Sequence, residues 1–168
     1  MRERLRNSCR PEDLRVLFVG ESPPDGGTFF YTADSILFRA TREAFSTAIP
    51  LLANTDDFLA RFQKLGCYLE DLSHDPICKL PRKERRRARN DARLGLARRL
   101  RRLPAPKCVV VVVMGIEQDV RAALNRAGMD DLPVYCLRFP VHRWRESYVS
   151  ELTGHVRAWR RRGLLNPA

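Results

Sequence analysis

The chain has 168 residues, of which 44% are hydrophobic, enough for one domain with a buried core. No segment approaches the roughly 20 apolar residues of a membrane helix, and the arginine-rich start lacks the apolar run of a signal peptide, so we expect a cytoplasmic protein with no membrane partner. The five cysteines have no CxxC pair or metal-ligand spacing, which argues against disulfides, structural zinc and an iron–sulfur cluster.

The net charge of +11 is concentrated in one segment. Residues 82–102 hold ten arginines and one lysine against Glu84 and Asp91, a net charge of +9. A face of this kind suits a polyanion, because phosphates neutralised by arginine release their condensed counterions. The alternative is a helix whose arginines only face solvent.

Four strands are predicted from the apolar runs in chain order. Residues 15–19, apolar after the initial Arg15, and residues 109–114, apolar throughout, are typical of central strands in a parallel sheet. Polar residues interrupt the runs 67–72 and 134–139, so we expect these strands nearer the sheet edges. Helical patterns cover residues 34–49, 55–65 with Thr55 as N-cap, 82–102, 117–127 and 143–162.

The alternation of strands and helices predicts the fold class. With right-handed crossovers it gives an α/β protein, a three-layer α/β/α sandwich around a four-stranded parallel sheet. We expect one domain over residues 1–168. In the helix 82–102, Ala92, Leu96 and Leu100 share one stripe, and we expect the arginines to cover the remaining, solvated face.

Three unusual segments follow strands, where the binding crevice of an open parallel sheet lies. They are the loop 20–31 (GESPPDGGTFFY), the segment 70–76 (EDLSHDP) and the segment 139–144 (FPVHRW). In the first segment, the prolines restrict the backbone and the glycines allow it to approach a ligand closely. Phe29 or Phe30 could stack on a flat ring; alternatively, one of the two belongs to the core. In the second segment, successive side chains of a strand point to opposite faces, so only one of Glu70 and Asp71 can face the crevice, and we expect it to be Asp71.

The order of these features resembles the uracil-DNA glycosylase superfamily along nearly the whole chain, from about Leu14 to the last helix. Gly20-Glu-Ser-Pro-Pro24 resembles the motif that positions the attacking water, and an aromatic pair follows it. Asp71 falls where many members place an asparagine that reads the base. Residues 139–142 (FPVH) resemble the second motif, although Phe139 stands where a histidine commonly precedes the proline, so that His142 is the histidine nearest to that place.

The resemblance implies a DNA glycosylase-like hydrolase that removes a damaged or deaminated base, without cofactor or metal. It assigns catalytic roles to Glu21, Ser22, Asp71 and His142, with Gly20, Pro23, Phe29 and Phe30 binding the base. The flipped base leaves through an oxocarbenium-like transition state that carboxylates stabilise. The DNA contacts we expect are Arg82, Lys83, Arg85, Arg86, Arg138, Arg143 and Arg145.

Other interpretations of the same residues remain open. The chain could be a DNA-binding member of this fold without catalysis, or an enzyme that acts on a free nucleoside or nucleotide. His74 could cap a turn, His155 could pack or face solvent, and Trp144 could either line the groove or pack on the sheet. We expect the protein to be a monomer.

Overall fold

The computed structural model describes residues 1–53 and 57–167. Four strands form one parallel sheet in the order β2-β1-β3-β4. They are β1 (Val16–Gly20), β2 (Cys67–Asp71), β3 (Cys108–Val111) and β4 (Val134–Cys136). The helices of the described part are α1 (Arg2–Ser8), α2 (Ile36–Ala48), α3 (Phe58–Lys64), α4 (Arg82–Leu100), α5 (Glu117–Ala127) and α6 (Arg145–Arg161).

The three-layer α/β/α sandwich predicted from the sequence is confirmed. Helix α2 packs on α6, and α4 packs on α5, so that the parallel sheet has helices on both sides. One helical layer packs on the sheet around Phe18 of β1, whose ring contacts Phe45 of α2, Phe62 of α3 and Trp159 of α6. These aromatic rings are almost fully buried, and burial of such large apolar surfaces is the main force that closes the layers.

The positions of the strands within the sheet also follow the predicted pattern. The continuously apolar strands β1 and β3 are central and buried throughout, whereas β2 and β4 occupy the two edges. β4 is only half-buried, and β2 is protected despite its edge position because α3 and other segments cover it. A central parallel strand meets helices on both faces, so it needs apolar residues at every position.

Most helices begin and end near their predicted limits. α5 has the predicted bounds, and Gly128 ends it in the left-handed conformation. α3 begins at Phe58, with the Asp57 carboxylate accepting a hydrogen bond from the Ala60 amide; the predicted cap Thr55 lies outside the described residues. Helix α1 was not predicted, although Arg2 and Arg6 within it are spaced by four residues.

The arginines of α4 do not all face solvent, and that expectation is wrong in part. Leu96 and Leu100 lie on the buried stripe as predicted. However, Arg85 and Arg89 pair with Glu21, and Arg93 and Arg99 pair with acids on other elements. A spacing of four residues places Arg85, Arg89 and Arg93 on one side of the helix, and that side faces carboxylates that follow neighbouring strands. α4 is therefore attached to the sheet by ion pairs as well as by apolar contacts.

The described part of the chain contains no helix with the length and apolar character needed to cross a membrane.

Candidate active site

A cavity of about 390 Å³ opens at the carboxyl edge of the sheet. Each of the four strands contributes a residue at or just beyond its end: Glu21 after β1, Asp71 in β2, Val113 after β3 and Phe139 after β4. The crossover after β1 leads to β2 and the crossover after β3 leads in the opposite direction to β4, so the cavity lies at the switch point of the strand order. The sequence analysis expected the segments after β1, β2 and β4 to meet here, and residues of all three line the cavity, although His142 does not.

The remaining wall of the cavity is mostly apolar. It is built from Ser22, Pro23, Pro24, Thr28, Phe29, Phe30, Ser35, Ile36, Leu37, Leu69, Cys78 and Arg85, with Gly20 beneath. Apolar walls with a few convergent polar groups are typical of small-molecule sites, and the volume lies at the small end of their usual range of about 300–1,000 Å³. The shape therefore suits a ligand with a compact apolar face and a polar edge.

Asp71 lies against β1 so closely that only glycine fits opposite it. The two strands pair Gly20 with Asp71, and a Cβ on Gly20 would lie 2.6 Å from Asp71 Oδ1. That separation is shorter than any ordinary carbon–oxygen contact. Gly20 is therefore required for close packing, and it allows the carboxyl group to rest beside the backbone of β1 at the cavity wall.

The Asp71 carboxyl group belongs to a buried cluster of charges. Arg6 Nη2 donates a hydrogen bond to Asp71 Oδ2 at 2.6 Å, and Arg6 Nε lies 3.5 Å from Glu70 Oε1. His74 Nε2 lies 2.8 Å from the same Glu70 oxygen, and Arg99 Nη2 donates to the Asp71 carbonyl oxygen at 2.6 Å. Of the two acids, only Asp71 lines the cavity, as expected from the alternation of side chains along the strand.

The pKa values of these two neighbouring carboxyl groups shift in opposite directions, although burial opposes the ionisation of both. Burial raises the pKa of Asp71 to about 6, against the opposing attraction of Arg6 and with a further contribution from the charge of Glu70. Burial also opposes ionisation of Glu70, but the hydrogen bond with His74 and the charges of Arg6 and Arg99 outweigh it and lower its pKa. The Asp71 carboxyl group is thus harder to ionise than an ordinary aspartate, whereas Glu70 is easier to ionise than an ordinary glutamate.

Glu21 is held by two arginines of α4. Arg85 Nε and Arg89 Nε donate hydrogen bonds to Glu21 Oε1 at 2.7 and 2.5 Å, and Arg85 Nη2 also donates to Oε2. Burial opposes the charged form of Glu21, yet the hydrogen bonds from Arg85 and Arg89 prevail and lower its pKa. Glu21 therefore anchors α4 to the end of β1, and through this contact it holds Arg85 at the cavity wall.

Hydrogen bonds near both ends restrict the conformation of the loop 22–34. Ser22 Oγ accepts a hydrogen bond from the Ile77 amide at 3.3 Å, and Asp34 Oδ1 accepts one from the Phe29 amide at 2.8 Å. Phe30 packs into the aromatic core against Phe38 and Phe62, so it is mainly a core residue, although it also contributes to the cavity wall. Phe29 is also buried, and the Arg6 guanidinium lies 5.2 Å from its ring centre.

His142 does not join the other predicted site residues, which corrects the expectation of a single shared cavity. Its side chain is exposed and lines a separate shallow recess with Pro140, Val141 and Arg145. Ile36 borders both the recess and the main cavity. The cause is the backbone after Phe139: Val141 and His142 enter a short 3-10 turn, with His142 at a positive φ of 45°, and this turn directs the histidine away from the strand ends.

The predicted DNA-contacting residues lie on two exposed segments. Arg82, Lys83 and Arg86 are exposed on the first turns of α4, beside the Arg85 that lines the cavity. On the segment after β4, the guanidinium groups of Arg138 and Arg143 lie 3.9 and 4.7 Å from the ring centre of Trp144.

Arg145 forms an ion pair with Glu43 at the surface, and so begins α6 attached to α2. Packing also shows where Trp144 and His155 lie, which the sequence left open. Trp144 is half-buried under its arginines, and His155 stacks on Trp159 and contacts Tyr135, which makes His155 a packing residue.

The sequence analysis missed Arg6, which has the shortest contact to the Asp71 side chain. Cys78 also lines the cavity and is exposed there. The sequence signal for Arg6 is its spacing of four residues from Arg2, which places both arginines on one side of a helix. No protein-family model matches the sequence, and no curated protein matches it.

Proposed function

We propose that this protein is a DNA glycosylase-like hydrolase, which cleaves the N-glycosidic bond of a damaged or deaminated base. The observation that carries the proposal is a base-sized apolar cavity at the strand ends with Asp71, a buried carboxyl group whose pKa burial raises to about 6, in its wall. Such a site combines a surface for a flat ring with a group that can take a proton from water near neutral pH.

The base would enter the cavity after rotation out of the duplex. Flipping costs a few kcal/mol, and contact with apolar walls recovers part of this cost. Phe29, Leu37 and Phe139 contribute such walls, and Ser22 contributes a hydroxyl group at the edge. The limited volume favours a single base over a larger ligand.

Asp71 would act on the attacking water. As the bond between C1′ and the base nitrogen breaks, its electron pair leaves with the base and the sugar becomes oxocarbenium-like. The Asp71 carboxylate stabilises this positive charge and accepts the proton of the water that attacks C1′. Arg85 at the cavity wall, together with backbone amides of the loop, would stabilise the negative charge on the departing base.

Glu21 has a different role in this proposal from the one expected at first. Its carboxylate is engaged by Arg85 and Arg89, so it orients Arg85 toward the cavity in preference to activating water. The exposed cations at the start of α4 would contact the phosphates beside the flipped base, because Arg82, Lys83 and Arg86 lie next to Arg85 and are free to reach outward.

The test is a panel of labelled oligonucleotides that carry uracil, hypoxanthine, xanthine or an oxidised base, as single strand and as duplex. Alkali converts each abasic product to a strand break. We expect breaks with at least one lesion, and a loss of about 10²-fold or more in rate for Asp71→Asn. The matched control Asp75→Asn changes an exposed carboxylate just beyond the same strand and should retain the activity. No breaks with any lesion, or full activity in Asp71→Asn, would overturn the proposal.

One observation favours a second candidate, a DNA-binding protein of the same fold without catalysis. Phe139 lines the cavity where the resembling superfamily commonly has a histidine, and His142 lies outside the cavity. The same panel separates the two candidates, because tight, salt-sensitive binding without any strand break would support the binding protein. Release of base from free nucleosides would instead indicate an enzyme for small substrates.

A further inference from the structure

Helix α1 reaches the candidate site through arginines on one side. Arg2 Nη2 donates a hydrogen bond to the Pro24 carbonyl oxygen at 3.0 Å, on the loop that borders the cavity. Just beyond the end of the helix, the Arg10 guanidinium lies 6.0 Å from the ring centre of Tyr68 in β2. Between them, Arg6 enters the interior and is only 2% exposed. A buried arginine is rare unless its charge is balanced, so its partners indicate what it does.

The partners of Arg6 are the groups that shape the cavity wall. Its Nη2 lies 2.6 Å from Asp71 Oδ2, its Nε lies 3.5 Å from Glu70 Oε1, and its guanidinium lies 5.2 Å from the Phe29 ring centre. The hydrogen bond to Oδ2 restricts rotation of the Asp71 carboxyl group, whose other oxygen rests beside Gly20. One side chain thus touches both the carboxyl group and an aromatic ring of the cavity.

Other charges near Asp71 come from β2 itself, from the loop that follows it and from α4. Glu70 precedes it in β2, His74 follows in the loop and pairs with Glu70, and Arg99 of α4 donates to the Asp71 carbonyl oxygen. Glu70 opposes the charged form of Asp71, whereas Arg6 favours it. Among the described residues, Arg6 is the cation that donates directly to the Asp71 carboxyl oxygen.

We infer that Arg6 is a positioning residue for Asp71, which holds the carboxylate in one orientation at the cavity wall and favours its charged form. The catalytic meaning of this role rests on the proposed function, but the contact itself does not. Helix α1 would accordingly belong to the working site, although it lies 65 residues away from Asp71 along the chain.

The direct test measures the titration of Asp71 without any substrate. Carbon-13 labelling of aspartate carboxyl groups allows NMR to follow each one with pH, and Asp71→Asn assigns the signal. A neighbouring opposite charge lowers the pKa of an aspartate by about 1–3, so Arg6→Met should raise the Asp71 midpoint by about that amount. Arg6→Lys, which retains a cation without the planar fork, should give an intermediate value.

The matched control is Arg4→Met, which removes an exposed arginine from the same helix and should leave the Asp71 midpoint unchanged. An unchanged midpoint in a folded Arg6→Met protein would overturn the inference. If Arg6→Met does not fold, the comparison of Arg6→Lys with the unmodified chain decides, and an unchanged midpoint there would overturn the inference equally.

Activity provides a separate readout that depends on the proposed function. If the ionised carboxylate is the active form, a midpoint raised by about 1–3 lowers the activity of Arg6→Met at pH 7 by about 2- to 100-fold, and higher pH restores it. Simple structural damage would not be repaired by raising the pH. A shifted NMR titration without any glycosylase activity would retain the role of Arg6 and reject the proposed function alone.

Discussion

Gly20→Ala tests the close packing of β1 and β2 at the candidate site. The added Cβ would lie 2.6 Å from Asp71 Oδ1, well inside the contact distance of the two atoms. A flexible surface side chain could move away, but the Asp71 side chain is short, 4% exposed and bonded to Arg6. The clash must therefore displace the carboxyl group or separate the two strands.

The expected cost follows from these two responses. Inserting a methyl group into a tightly packed interior typically costs about 1–3 kcal/mol. If the carboxyl group rotates far enough to break its bond with Arg6, the loss approaches the roughly 3–5 kcal/mol of a broken buried ion pair. The reduced freedom of the unfolded chain offsets at most about 1 kcal/mol. We therefore expect Gly20→Ala to lower the free energy of unfolding by about 1–3 kcal/mol and to reduce activity strongly.

Urea denaturation of Gly20→Ala beside Gly26→Ala provides the measurement. Gly26 lies in the loop that follows β1, and no atom lies within 4 Å of a Cβ placed there, so Gly26→Ala should stay within about 0.5 kcal/mol of the unmodified protein. Equal stability of the two variants, with the Asp71 titration unchanged in both, would refute the argument that the Asp71 carboxyl group fits against β1 only when residue 20 is glycine.

Two further predictions concern the ionic contacts of α4. Glu21→Gln should lower the free energy of unfolding by about 1–3 kcal/mol near pH 7, because a neutral amide no longer balances Arg85 and its neighbour, both of which are partly exposed. Although burial opposes ionisation, the arginines lower the pKa of Glu21 in the folded protein, so the deficit should shrink as the pH falls below about 4; a deficit independent of pH would contradict an ionic origin. For duplex binding, Arg86→Gln should reduce the slope of log affinity against log salt by about 0.9, whereas Arg161→Gln at the far end of α6 should not. Equal slopes for the two variants would place the phosphate contacts elsewhere.

The sequence by itself determined the fold class and the edge of the sheet at which a site would form. Short, continuous apolar runs are typical of central strands in a covered parallel sheet, and their alternation with helices leaves few topologies. Parallel strands then bring their carboxyl ends to one edge, so Gly20, Glu21 and Asp71 were expected together, and period-two alternation selected Asp71 over Glu70. These features depend on local patterns that one segment carries within itself.

Only the tertiary structure decided which charges meet. Arg6 and Asp71 are 65 residues apart, and nothing in either segment specifies the other. Glu21 is paired because α4 presents Arg85 and Arg89 to it, and His142 lies outside the cavity because of a single turn after Phe139. A long, flexible arginine side chain pairs with the acids that the packing of distant elements brings within its reach. The direction of a loop depends on a few backbone angles, which the amino-acid composition does not specify.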